Sequence, residues 1–384
     1  MGGDKNFTMV GTASHMPESL TSSSFGIKTN ETNTPHQATK ENVTTAPAAC
    51  AEEDLIERFI SIHTGLAELY PNIQPHERGA ALFYELLRLC TAPYNEATCN
   101  AVLSDQRITR IIPDLRKYNA QGEGMLEEYW ARRMLGSSSA GIEPSQLDYG
   151  GPLKSGFIDQ CSILPQHSTT KIQEHDYAAA ITLLKQYPPY QNYVDIARLE
   201  LNAILSVSSP TDPARTWAFL GSGPIPLTSI CLAQLLDPLP TPSGSPSATE
   251  QPPVQIHNID RCPTAIALSS QLCQKLGRVT RCLTFECAEA SGCTDLSTFD
   301  VVCLAALVGT ETVEKFGIIT SVAARMKPGA LLVIRSAHGM RKMLCAVIEP
   351  AAMVLKDGSG VLPLVVVHPW NHVRNSVVVA KVVR

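Results

Sequence analysis

Runs of positive charge are missing from this chain. No stretch of lysine and arginine exceeds two residues, and the formal net charge is −5. Without a basic stripe to follow a phosphate backbone, nucleic acid is not expected as a partner. Apolar runs long enough to span a bilayer are missing too, which argues against a membrane-spanning helix. The opening residues, MGGDKNFTMVGTASHMPESL, lack the apolar stretch of a secretory signal, so the chain is expected in the cytoplasm. The sequons at Asn6, Asn30 and Asn42 then read as chance matches in a tail rich in Thr and Asn. Paired ligand spacing is also lacking: Cys273, Cys282, Cys287 and Cys293 cluster without a CxxC repeat, so no metal is expected. The 12 cysteines lie partly in apolar runs such as VVCLAAL and SICLAQLL, which fits buried, reduced thiols.

What is present is a core. Hydrophobic residues make up 44% of 384 positions, enough for two domains at about 100–200 residues each. Residues 1–50 are polar and aperiodic and are expected to be a disordered tail. Helical spacing begins with Leu55, Phe59, Ile62 and Leu66 and continues through HERGAALFYELLRLCT. Separate helices are expected at Ala97–Leu103, Ile108–Asn119, GEGMLEEYWARRML, Asp176–Lys185 and Tyr193–Leu205, making 51–205 an all-helical N-terminal domain. Ser137–Ser168 reads as a long loop, and Pro238–Pro253 as an exposed insertion.

Residues 206–384 alternate instead. Strands are expected at Trp217–Leu220, Val254–Ile259, Val279–Glu286, Phe299–Leu307 and Ala330–Arg335, and helices at Leu227–Leu236, Thr264–Leu276, Val313–Met326 and Met340–Ile348. Leu362–His368 and Ser376–Val382 form a final hairpin. This rhythm predicts an α/β fold with a Rossmann-like sheet of the class I methyltransferase type, helices on both faces, and a ligand at the carboxyl ends of its strands.

The sharpest local feature is FLGSGPIPLTSI, where a strand runs into Gly221, Ser222 and Gly223 and then a helix. Glycines there permit a tight turn and close backbone approach to a ligand. Asp260 ends the next strand and is placed to accept from a ribose diol, or else to cap the following helix. Glu289, beyond the third strand, is a candidate for an adenine amino group, with a surface carboxylate as the alternative. Ala305, Ala306 and Leu307 offer small side chains beneath a flat ring, or simple packing.

These segments carry a resemblance. FLGSGPIPLTSICLA, VVCLAALVGTE, MKPGALLVIRSAHGMRKML and NSVVVAKV closely resemble nicotianamine synthases, with a looser match in LIERFISIHTGLAELYP, GEGMLEEYW and YPPYQNYVDIARLE. The resemblance runs from about residue 55 onward and departs in the two long loops and at Glu289. It implies that three aminocarboxypropyl groups of S-adenosylmethionine are joined, three methylthioadenosines leave, and an azetidine ring closes to give nicotianamine, a metal chelator. S-adenosylmethionine is then a substrate, with no further cofactor. A small-molecule methyltransferase, or a transferase using fewer arms or another amine, are the alternatives.

The resemblance implies that Glu127 is the catalytic base and that Tyr193 helps hold the reacting amine; an acidic helix face and an aromatic anchor between domains are the plainer readings. Glu123 lies four residues before Glu127 on the same helical face, so the two carboxylates can share a pocket. Tyr190 is a nearby second tyrosine. Arg335 ends the fifth strand and is expected to clamp an α-carboxylate by a pair of hydrogen bonds. His338 is expected to do the same or to cap a turn, and Asn375 to line the cavity or cap the hairpin. No feature of the sequence indicates an oligomeric state.

Overall fold

The central strands of the C-terminal half are apolar at almost every position because both faces of their sheet are covered. The structure, a computed structural model, describes residues 46–71, 73, 77–136, 171–209, 211, 213–236, 253–292, 294–353 and 360–383. The expected tail up to residue 45, the loop Ser137–Ser168 and the insertion up to residue 252 lie outside the described residues, as does Cys293. Strands β1 (Thr216–Leu220), β2 (Gln255–Asp260), β3 (Leu283–Cys287), β4 (Val301–Leu304), β5 (Leu331–Ser336), β6 (Gly360–Val367) and β7 (Ser376–Val383) form one sheet. Its order is β3-β2-β1-β4-β5-β7-β6. The first five are parallel, and β7 runs antiparallel between β5 and β6, as the expected hairpin requires. This is the Rossmann-like sheet of the methyltransferase type.

Alternation along each strand divides the core. Trp217, Phe219, Val301, Cys303, Val333, Val377 and Val379 point to one face. There they meet α7 (Leu227–Leu236), α8 (Pro263–Leu276) and three helices from the N-terminal half: α4 (Gln106–Met134), α5 (Lys171–Gln186) and α6 (Tyr190–Leu205). Ala218, Leu220, Val302, Leu304, Leu332, Ile334 and Val378 point to the other face, under α9 (Thr312–Arg325). Helices α1 (Ala46–Leu69), α2 (Glu77–Thr91) and α3 (Glu96–Ser104) build a third core with the first half of α4. Met340, Met343 and Leu344, from the segment after β5, insert into it. The described residues from Ala46 onward pack as one compact unit. We propose 51–205 and 206–384 as its helical and sheet domains.

Several elements differ from expectation. The helices expected at Ile108–Asn119 and Gly122–Leu135 are one 29-residue helix, α4, with Pro113 inside it. Gly122 does not break it because the missing side chain makes room for Phe83, whose ring a Cβ would overlap. Gly277–Thr280 forms a 3-10 turn, so β3 begins later, at Leu283. Strand β4 stops at Leu304, and Ala305–Val308 turn out of the sheet. Met340–Ile348 holds only a 3-10 turn, Gly339–Met343. Residues 46–50 belong to α1.

Candidate functional site

A cavity of about 640 Å³ opens at the carboxyl ends of the parallel strands, roofed by α4 and α6, a volume ordinary for a small-molecule site. The turn after β1 makes its floor. Gly221 (φ 81°) and Gly223 (φ 68°) both adopt left-handed backbone, which side chains disfavour. A Cβ on Gly221 would overlap Val308, and one on Gly223 would overlap Oε2 of Glu127. The glycine turn is thus the surface against which the α4 carboxylate rests, although 96 positions separate the two in sequence (223 − 127).

Around Glu127 the groups are closely matched. Glu123 and Glu127 lie one turn apart on α4, and the Tyr193 hydroxyl of α6 sits between them, 2.7 Å from Glu127 Oε1 and 3.0 Å from Glu123 Oε1. A phenol has one proton to donate, so two ionised carboxylates cannot both be satisfied by it. Burial pushes the Glu127 carboxyl up to about 8, and the neighbouring Glu123 charge pushes it the same way; the Tyr193 hydrogen bond opposes both. Glu127 is 8% exposed. The Tyr193 phenol is itself held well above its ordinary range, first by burial and then by the two carboxylates. The pocket therefore keeps a protonated carboxyl near neutral pH beside an ionisable neighbour.

Asp260, at the end of β2, accepts from the Gly223 N–H through Oδ2 and from the Cys262 N–H through Oδ1, each at 2.9 Å. It ties the glycine turn to the start of α8 and still lines the cavity. Glu289, Ala305, Ala306 and Leu307 line the same end. Glu286, at the end of β3, is occupied by His257 and Thr294 instead.

The sequence model of the family described as "Nicotianamine synthase protein" matches residues 159–384, more than half of the chain. The chain belongs to the nicotianamine synthase family. It is 29% identical over 334 residues to "Nicotianamine synthase 3" of Oryza sativa subsp. indica, covering 86% of this chain and 80% of that protein. To "Nicotianamine synthase 3" of Arabidopsis thaliana it is 28% identical over 335 residues, 86% of this chain and 85% of that one. Among solved structures it is similar to a variant of MtNAS in complex with S-adenosylmethionine, with TM-score 0.55 and 17% identity over 86% of this chain and 97% of that one. It is likewise similar to MtNAS in complex with MTA and tNA, with TM-score 0.55 and 16% identity over 89% of this chain and all of that one. At such identities the structures attest the shared fold.

Within this family member, the structure brings together Glu123, Glu127, Tyr193, Gly221, Ser222, Gly223, Asp260, Glu289, Ala305, Ala306, Leu307, Arg335 and Asn375 on one cavity wall or another. Two candidates fall elsewhere. Tyr190, three residues before Tyr193 at the start of α6, packs against the sheet-facing core and does not line the cavity. His338 stacks on His368 at 4.2 Å between ring centroids and lies 6.2 Å from the Trp370 ring, because β6 ends beside the turn after β5. Arg335 lines the cavity, but its fork is not free for a substrate carboxylate. Its Nε and Nη2 bind both oxygens of Glu200 at 2.7 and 3.1 Å, and Nη2 also donates to Thr228 at 2.8 Å.

A cation that faces the carboxylates is Arg374, which the sequence reading missed. Its Nη1 lies 3.5 Å from Glu123 Oε1. Its backbone N–H donates to Asn192, and Arg341 holds the preceding turn through the Val373 and Asn371 carbonyls. The available signal was topological. A strand antiparallel to β5 starts at the carboxyl end of its neighbours, so the residues just before β7 reach the ligand edge. Among the described residues no group of three or more His, Cys, Asp or Glu is arranged to hold a metal ion, and no helix is long and apolar enough to cross a membrane.

Proposed function

We propose that the chain is a nicotianamine synthase, condensing the aminocarboxypropyl arms of three S-adenosylmethionine molecules into nicotianamine and releasing three methylthioadenosines. The observation that carries this reading is the seating of Glu127, a buried carboxyl with its affinity for protons raised, directly against the glycine turn at Gly223. An α-ammonium must lose a proton before its nitrogen can attack the arm carbon, and a carboxyl of raised proton affinity seated there can take it once ionised.

The chemistry asks little else. The amine nitrogen forms a bond to the arm carbon attached to sulfur, the carbon–sulfur bond breaks, and its electron pair neutralises the sulfonium. Methylthioadenosine leaves as a neutral thioether, so no acid is needed at sulfur. Ionised Glu127 takes a proton from the α-ammonium; Tyr193 and Glu123 hold the resulting amine in line with the departing sulfur, where positioning supplies much of the acceleration. Ring closure is the same displacement by an amine on its own arm. Asp260 receives the ribose diol, Glu289 the adenine amino group, and Ala305, Ala306 and Leu307 the purine. Gly221, Ser222 and Gly223 let the arm lie close to the backbone. Arg374 is the clamp for an α-carboxylate, in place of Arg335.

Nicotianamine is a chelator, so we assign the chain to metal homeostasis, in the cytoplasm. Among the cysteines whose side chains the structure describes, none is paired in a disulfide, which supports a reducing compartment. Mass spectrometry of the purified chain incubated with S-adenosylmethionine alone tests the reading. Methylthioadenosine and nicotianamine are expected in a ratio of three to one. S-adenosylhomocysteine as the leaving group contradicts it, and a shorter condensation product revises the number of transfers.

A further inference from the structure

Lys315, in the first turn of α9, is completely buried. Among the described residues no carboxylate lies within ion-pair distance of it. Its Nζ donates instead to the carbonyl oxygens of Ala305 at 2.9 Å and Ala306 at 2.8 Å. Burial pushes its ammonium down to about 8. A buried amine without an acidic partner is costly, and nothing in the chemistry above uses it. The loop it holds is drawn tightly over it: Gly309 has φ 77°, and a Cβ there would come within 2.9 Å of Lys315 Cα.

The two bonds fix two peptide planes. In a trans peptide the N–H points opposite to the carbonyl of the same plane. The Ala306 N–H therefore points away from the Ala305 carbonyl, and the Leu307 N–H away from that of Ala306. Neither N–H donates to a protein group among the described residues. Both residues line the cavity. Two donors with no protein partner among the described residues thus lie on a wall whose carbonyls are anchored from behind.

We propose that Lys315 is a positioning residue for the nucleoside end of the cavity, holding the Ala305 and Ala306 carbonyls so that the N–H groups of Ala306 and Leu307 meet ring-nitrogen acceptors of a purine. This rests on the reading of the cavity as an S-adenosylmethionine site. It adds a residue that touches no substrate and sets purine selectivity through the backbone.

The test is binding of methylthioadenosine against its 1-deaza and 3-deaza analogues, which lack one ring acceptor each. Wild type is expected to bind methylthioadenosine about tenfold more tightly than at least one analogue, the scale of one good hydrogen bond. Lys315→Met is expected to bind all three within about twofold. Lys315→Gln, which keeps two donor hydrogens, is expected to recover part of the preference. A packing role alone would weaken all three ligands together and leave the preference intact, and that result overturns the inference. Thermal melting reports whether each variant is folded. If Lys315→Met is not, the amide resonances of Ala306 and Leu307 in wild type decide the matter: large shifts on adding methylthioadenosine, smaller ones with the deaza analogue, support it, and unmoved resonances overturn it. Wild type that binds methylthioadenosine without any deaza preference sinks this inference alone. Wild type that binds no thioadenosine sinks the proposed function as well.

Discussion

Tyr193 has one hydroxyl proton and two carboxylates within reach of it, and burial of Glu127 together with the Glu123 charge outweighs the Tyr193 hydrogen bond in setting the pH behaviour of the site. The free-enzyme pH dependence of kcat/KM is expected to rise through about 8 as Glu127 ionises. Glu123→Gln removes a like charge and moves that limb to lower pH; Tyr193→Phe removes the opposing hydrogen bond and moves it higher. Rate profiles of the three proteins check the order, and a common limb would show that another group titrates. A bound sulfonium favours the carboxylate, so the limb in kcat lies below that in kcat/KM. Stability follows the same group. The folded carboxyl holds its proton up to about 8 while the unfolded one loses it near 4.5. The folded state therefore binds more protons across that window, and stability falls as pH rises through it. Glu127→Gln is expected to raise the melting temperature more at pH 8 than at pH 5. Arg374→Met is expected to raise KM for S-adenosylmethionine by about 10–100-fold, the range for a lost hydrogen bond to a charged group. A change in kcat alone would remove Arg374 from carboxylate binding.

Elements explain which of these residues were legible. Apolar runs such as VVCL and LLVI announce buried parallel strands, and Gly221 with Asp260 announces their ligand edge, because both signals are local. Helix α4 was less legible: Pro113, Gly122 and Gly124 weaken its pattern, and tertiary packing against Phe83 and the sheet overrides them. That continuity matters, since it carries Glu123 and Glu127 on the same rigid rod as Arg116, whose Nε donates to the Lys342 carbonyl, and Asn119, which donates to that of Leu344. The turn is equally constrained. Gly223→Ala forces a left-handed residue to carry a Cβ into Glu127, so it is expected to abolish most turnover while the fold survives. Unchanged kinetics in that variant would mean that turn and carboxyl separate in solution. Asp260→Ala removes the brace between turn and α8 along with the proposed ribose acceptor, and calorimetry is expected to record weaker S-adenosylmethionine binding by about tenfold or more.

Across the whole molecule, long-range pairs were beyond any local reading. Arg335 looked free in RSAHG, yet Glu200, 135 residues away, takes its fork. The pair joins α6 to β5 with both side chains almost fully buried. Removing one partner strands the other charge, so Arg335→Met is expected to cost about 3–5 kcal/mol in denaturant unfolding, and replacing both residues by apolar ones much less. His338 was misplaced for the same reason, because its partner His368 arrives only when β6 pairs with β7. The helical half and the sheet half thus meet through a shared apolar core with a few buried polar links added to it, and the cavity opens where that packing ends, at the carboxyl ends of the strands. On the proposed reading, this arrangement sets one protonatable carboxyl beside the sulfonium. The most direct test is Glu127→Gln, assayed for S-adenosylmethionine binding by calorimetry and for condensation by product formation. Binding within a few-fold of wild type with turnover lower by about 10²–10⁴ is the expected result; condensation at the wild-type rate would contradict it.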